Sequence, residues 1–218
     1  MTQVAIVGGH GKIAQQLIPL LASAGHTPVA FVRNPAYADE LEALGAQVRI
    51  VDLEKSGAEQ LGMAMMGSDA VVFAAGAGAD GDVDRKRTVD LDGAIKSMAG
   101  ADLAGITRFV QVSAIGVDAP LPADASAVWR AYVIAKRDAD LELRATRLDW
   151  TIIRPGGLTD DPPTGLIDLA DEVERGQITR ADVAALIAAC LGDPRTIGKQ
   201  WEVVGGSTPI AAAINALV

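Results

Sequence analysis

Residues Val4-Ala5-Ile6-Val7-Gly8-Gly9-His10-Gly11-Lys12-Ile13-Ala14 set an apolar run directly before a glycine-rich turn and an amphipathic pattern directly after it. An apolar run without polar alternation suits a strand covered on both faces, so Val4–Val7 reads as a central strand of a parallel sheet. Gly8 permits a tight reversal of the chain. Gly11 has no Cβ, which lets a pyrophosphate approach the backbone. The helix expected over Lys12–Ser23 aims its free N–H groups and the positive end of its dipole at the same point. Gly9, His10, Lys12 and Ile13 complete the loop, and small Ala14 lets helix and strand pack closely. Strand, glycine turn and helix in this order predict a dinucleotide-binding unit.

The rest of the chain alternates in the same way. Strands are expected at Pro28–Val32, Gln47–Val51, Ala70–Ala74, Thr107–Val112, Trp150–Ile153 and Gln200–Val204. Helices are expected at Tyr37–Leu44, Ala58–Met66, Asp84–Met98, Val128–Arg147, Arg180–Leu191 and Ile210–Leu217. This pattern predicts an α/β, doubly wound Rossmann fold: a parallel sheet, helices on both faces, and ligands at the carboxyl ends of the strands. The length of 218 residues suits one domain over 1–218. Arg154-Pro155-Gly156-Gly157 is expected to break the sixth strand, and the stretch of about 155–180 to form a small substrate lid. Pro155–Gly165 and Ala119–Ser126 read as functional loops. Beyond Leu158 there is room for a loop, helices and one strand.

Bulk properties exclude several classes. A net charge of −9 argues against nonspecific binding of nucleic acid. The single cysteine, Cys190, sits in an Ala/Leu-rich segment, allows no intrachain disulfide and reads as a small buried hydrophobe. His10 and His26 lie in separate turns, so no metal site is expected. The N-terminus shows no charged-then-apolar leader, and Ala70 to Ala79, the longest apolar candidate, is only strand-length, so neither export nor membrane insertion is expected. A cytoplasmic protein follows. Met63, Met65 and Met66 read as core or helix-end packing.

The second predicted strand ends in Arg33, where an NAD site usually carries Asp or Glu for the ribose 2′-hydroxyl. An arginine there pairs with a 2′-phosphate, so NADP(H) is expected over NAD(H). Lys12 adds positive charge beside the phosphates.

The spacing Gly8-x-x-Gly11-x-x-Ala14 resembles the extended and atypical members of the short-chain dehydrogenase/reductase superfamily, with His10 where Thr, Ser or Asn is usual. The resemblance gives roles to further residues. Asp52, followed by Leu53, matches an aspartate that bonds the adenine amino group. Ala74-Ala75-Gly76 is similar to the family's Asn/Ala-Ala-Gly segment beside the cofactor ribose. Tyr132-Val133-Ile134-Ala135-Lys136 is a Tyr-x-x-x-Lys pattern whose spacing puts both side chains on one helix face. In the superfamily such a lysine binds the nicotinamide ribose and lowers the tyrosine pKa, and the tyrosine is the acid/base. The usual catalytic serine aligns with Ala114, leaving Ser113 one position early. Ser113 then either serves through a small register change or hydrogen-bonds a strand-end backbone.

Leu148 to Thr159 and Ile178 to Ala184 resemble the signatures of the atypical, NmrA-like NAD(P)H-binding group. Pro155, Gly156 and Gly157 are then expected to turn over the nicotinamide, with Arg180 and Asp182 locking the loop. Two functions follow from the resemblance. One is an oxidoreductase moving hydride to or from a small molecule, within a family that also holds epimerases. The other is a non-catalytic NADP(H) sensor. The Val128–Arg147 helix is a dimer interface in many superfamily members, which makes a homodimer an expectation by analogy.

Overall fold

The computed structural model describes residues 2–78 and 82–218. Ala79, the end of the apolar stretch noted above, lies outside them. In chain order the elements are β1 (Gln3–Val7), α1 (Lys12–Ser23), β2 (Thr27–Val32), α2 (Ala38–Ala43), β3 (Gln47–Ile50), α3 (Ala58–Met65), β4 (Ala70–Phe73) and α4 (Val83–Arg85). A π-helical stretch, Lys86–Leu91, leads into α5 (Asp92–Leu103). Then come β5 (Arg108–Val112), α6 (Ala127–Ala145), β6 (Asp149–Pro155), β7 (Gly157–Thr159), β8 (Leu166–Ala170) and β9 (Gln177–Thr179). The chain closes with α7 (Arg180–Gly192), β10 (Lys199–Gly205), β11 (Thr208–Pro209) and α8 (Ile210–Asn215).

A nine-stranded sheet runs β11-β8-β10-β6-β5-β4-β1-β2-β3. Strands β3 through β10 in that order pair in parallel, and β8 and β11 join antiparallel at one edge. The period of two along a strand explains the two-sided core. In β1, Val4 and Ile6 face α1 and α7 and pack with Leu17, Ile18, Val183 and Ile187. Ala5 and Val7 face the other way, among Leu61 and Met65 of α3, Met98 of α5 and Leu143 of α6. Burying such a side chain contributes about 1.5–3 kcal/mol, so both faces must be covered and the strands read as continuous apolar runs. This is the doubly wound Rossmann architecture. Among the described residues no helix is long and apolar enough to cross a membrane.

The chain winds from β1 outward to β2 and β3, then returns across β1 to β4. The loops after β1 and β4 therefore leave in opposite directions and open a crevice at the carboxyl ends of these strands.

Several expectations fail locally. Beyond Leu158 the chain forms β8, β9, β10 and β11 rather than one strand. β8, β9 and β11 have two to five residues each and gain their order from backbone pairing with partners that are distant in sequence, which local patterning cannot reveal. Arg154 and Pro155 do not break β6; the strand runs through both, and the chain leaves it at Gly156. Pro155 has no N–H to give, and it joins the neighbouring chain through its carbonyl, which accepts the Ile115 N–H at 3.0 Å. Met65 is core, but Met63 and Met66 are exposed.

Candidate functional site

The glycine turn is built by packing against both neighbouring strands. Gly8 has φ +88°, and a Cβ there would stand 2.6 Å from Ala75 Cα. Gly9 is held by its N–H to Phe31 O at 3.0 Å, and a Cβ would lie 2.7 Å from the Ala30 methyl. Gly11 donates its N–H to Gly8 O at 2.8 Å and caps α1 with no side-chain bond and no acidic residue in the first turn. The dipole end is therefore uncompensated by the protein itself, which is the condition an anionic pyrophosphate needs. A Gly8→Ala substitution is expected to destabilise by at least about 2 kcal/mol, from the positive φ and the overlap with Ala75. Dinucleotide binding is expected to be lost with it, and a thermal melt with a binding titration checks both.

A cleft of about 300 Å³ opens at this point. It brings together Gly8, His10, Gly11, Arg33, Asp52, Leu53, Ala74, Ala75 and Gly76, joined by Tyr37, Glu54 and Arg85. His10 does not bond within the turn. Its ring stacks on Tyr37 at 3.5 Å with planes 3° apart, and Nε2 lies 3.2 Å from Glu40 Oε2. The turn itself is tied by Gln15 Nε2 donating to His10 O at 3.2 Å. Asp52 accepts the Glu54 N–H at 3.0 Å and pairs with Lys55 at 3.4 Å. Burial pushes its carboxyl up, but these bonds outweigh it and hold the pKa below the ordinary value. Gly9 and Ile13 stand behind the cleft wall, Ile13 in the core.

At the end of β4 a buried ion pair supports the cleft floor. Lys136 Nζ lies 3.3 Å from Asp90 Oδ1, 3.2 Å from Val112 O and 3.5 Å from Ala75 O. Asp90 is 1 % exposed and sits in the π-helical stretch; its second oxygen accepts the Ala77 N–H at 2.9 Å. Burial works most strongly against the Lys136 ammonium, but Asp90, Tyr132 and Asp140 together outweigh it and lift the pKa above the ordinary value. Tyr132 is one turn earlier on α6, against Ala114, Val117 and Leu121, with Trp129 at 5.5 Å and Lys86 Nζ 5.7 Å from its ring. Burial raises the Tyr132 pKa; Lys136 pulls it down, and Asp90 and Asp140 oppose that pull. The net shift is upward, opposite to the expected lowering. Asp90 carries no recognisable motif; it lies inside the helix expected over Asp84–Met98, and nothing in the sequence marks it.

The Ser113 side chain does not hydrogen-bond a strand-end backbone. Its hydroxyl donates to Asp140 Oδ2 at 2.7 Å. Asp140 is fully buried on α6 and also accepts Gln111 Nε2 at 2.7 Å and Arg154 Nε at 2.9 Å. Arg154 in turn reaches Asp118 Oδ2 at 2.6 Å. Burial raises the Asp140 pKa against the pull of Arg154 and these hydrogen bonds. Arg154 thus ties β6 to α6 and to the loop after β5.

Pro155, Gly156 and Gly157 do not line the cleft. Gly156 lies under Gly176, where a Cβ would come 2.4 Å from the Gly176 carbonyl, and Gly157 donates to that same oxygen at 2.9 Å. Lys12 does not line this cleft either. It pairs with Asp160 at 2.5 Å, which also holds Arg180 at 2.6 Å. Asp182 accepts the N–H groups of Thr164 and Gly165 at 3.1 and 2.8 Å and the Thr179 hydroxyl at 2.9 Å. It fastens the loop, while Arg180 fastens Asp160. Cys190 is buried, with its thiol pushed up to about 12 by burial, and is chemically quiet.

Fold and crevice together define a Rossmann-type dinucleotide-binding protein. The chain belongs to the NAD(P)H-binding family, whose model matches residues 8–194. It is 39% identical over 216 residues to a Bacillus subtilis protein named as an uncharacterized sugar epimerase, covering 99% of this chain and 100% of that one. A solved structure from Bacillus halodurans, provisionally titled an NAD-dependent epimerase/dehydratase, is 40% identical, covers both chains fully and superposes with a TM-score of 0.92. The oxidoreductase ylbE from Lactococcus lactis is 30% identical over 99% of this chain and 96% of its own, with a TM-score of 0.86. The chain is thus of an oxidoreductase- and epimerase-like group.

Proposed function

We propose that this protein is an NADP(H)-dependent oxidoreductase acting on a small molecule, with Tyr132 as acid/base and Lys136 as its partner. The observation that carries the reading is the position of Lys136. A buried cation held within 3.5 Å of the Ala75 carbonyl stands directly beneath the nucleotide cleft and one helical turn from Tyr132. The uncapped start of α1 receives the pyrophosphate, Asp52 and Leu53 the adenine, and Arg33 the 2′-phosphate. Gly76, with no side chain, lets the ribose approach the backbone above Asp90 and Lys136. A bound nicotinamide supplies hydride chemistry. Lys136 holds the ribose side of the site and Tyr132 exchanges a proton with the substrate oxygen. The same phenol serves an epimerase that oxidises and re-reduces a carbinol carbon, which the B. subtilis relative's name makes a natural variant of this reading.

Calorimetric titration with NADPH, NADP⁺, NADH and NAD⁺ tests the cofactor half. Arg33→Ala is expected to weaken NADPH about 10- to 100-fold and to leave NADH within a few-fold, because only the phosphorylated ribose uses a guanidinium. Equal weakening of both would remove Arg33 from the 2′ position.

One observation favours a second reading, a non-catalytic NADP(H) sensor. Ser113 gives its hydrogen to Asp140, so Tyr132 has no serine aligned to share a substrate oxygen with it. A strong preference between NADPH and NADP⁺, with no turnover on any carbonyl or carbinol offered, supports the sensor.

A further inference from the structure

We propose that Glu54 sets the cofactor preference of the cleft by holding a carboxylate where an adenosine 2′-phosphate is received. The inference rests on the NADP(H) reading above. Glu54 lies two residues after Asp52 and is pinned by its own N–H to Asp52 Oδ1 at 3.0 Å. Its Oε2 is 3.4 Å from Arg33 Nη1 and 3.4 Å from Arg85 Nε. Its Oε1 accepts the Thr88 hydroxyl at 2.8 Å. Donors from three separate segments, the end of β2, α4 and the π-helical stretch, thus converge on one anion. Arg33, Glu54 and Arg85 all line the cleft.

Two guanidinium groups and a hydroxyl are the donor set a phosphate monoester takes. Here a carboxylate of this chain occupies them. An incoming 2′-phosphate meets guanidinium charge already neutralised and a like charge beside it, which opposes its binding. A ribose 2′-hydroxyl meets the reverse situation, since a carboxylate at the ribose is the acceptor that NAD sites use. Glu54 therefore acts against Arg33: the arginine favours NADP(H), and the glutamate holds that preference down. No acid on β2 itself does this; the carboxylate arrives from the loop after β3.

The test measures Kd for NADPH and NADH in the wild type, Glu54→Gln, Arg33→Ala and the double variant. Gln keeps the size and the acceptor for Thr88 and removes the charge. Glu54→Gln is expected to tighten NADPH by about tenfold while NADH is unchanged or weaker. The gain is expected to shrink in the Arg33→Ala background, where only Arg85 is left to release. Glu54→Asp, which keeps the charge, is expected to retain a ratio near that of the wild type, separating charge from a disturbed loop. A protein that binds both dinucleotides with a ratio unmoved by Glu54→Gln overturns this inference alone. So does a gain that persists undiminished without Arg33, or a shift in Glu54→Asp as large as in Glu54→Gln. A wild type that binds neither dinucleotide overturns the cofactor reading and this inference with it.

Discussion

Asp140→Ala is expected to destabilise the fold by about 3–5 kcal/mol. The carboxylate is fully buried and receives Gln111, Ser113 and Arg154 at once. Its removal strands three donors, the most costly being the Arg154 guanidinium, itself 3 % exposed and left with only the half-exposed Asp118. That loss is not the net contribution of the ion pair. Burial already works against the ionised carboxylate, as its raised pKa indicates, and the large value arises from leaving its partners unpaired. Ser113→Ala removes one neutral donor and is expected to cost only about 1 kcal/mol. Urea unfolding of the two variants checks the ranking. A loss below about 1 kcal/mol in Asp140→Ala would mean that water replaces the carboxylate, and the hub would not hold β6 to α6.

Tyr132→Phe is expected to lower turnover by about 10²- to 10⁴-fold while leaving NADPH affinity unchanged. The phenyl ring keeps its packing against Ala114 and Val117, so a folding defect is not expected. The pH profile carries a second signature. Burial holds the phenol pKa above its ordinary value of 10.0, so the proton-donating form predominates at neutral pH. Carbonyl reduction should then be flat through neutrality and fall only in the range above 10.0. Alcohol oxidation needs the tyrosinate and should rise about tenfold per pH unit throughout that range below the pKa. A Phe variant with undiminished turnover would remove Tyr132 from the chemistry. A reductive profile that falls near neutral pH would mean that Lys136 overcomes the opposing acids and burial.

The local signals were the reliable ones. The limits expected for α1 are those observed, because an amphipathic pattern between a glycine turn and Gly25 is fixed by nearby residues. The residues of the cleft from Gly8 to Gly76 were legible for the same reason: each sits at the carboxyl end of an apolar strand, and a doubly wound sheet gathers such ends. Arg33 could be read because it follows β2 directly. The packing of Pro155–Gly157 was not legible, because its composition signals a turn but not what the turn packs against. Only the tertiary structure shows how closely Gly176 approaches Gly156.

The remaining site features depend on partners far apart in the chain. Ser113 meets Asp140 across 27 positions, and Arg33 meets Glu54 across 21. Lys136 finds Asp90 through a π-helical stretch inside what reads as an ordinary helix. β8 and β11 owe their order to antiparallel pairing at the sheet edge. Periodicity and spacing by themselves determined the alternating strands and helices, the sheet that buries both faces, and a nucleotide crevice opening at Gly8. Whether a buried charge is paired, which way the Ser113 hydroxyl points and what faces Arg33 were decided only by the tertiary structure. Apolar burial follows from a residue's own chemistry and its local phase, whereas a polar or charged group is defined by the partner that the fold brings to it.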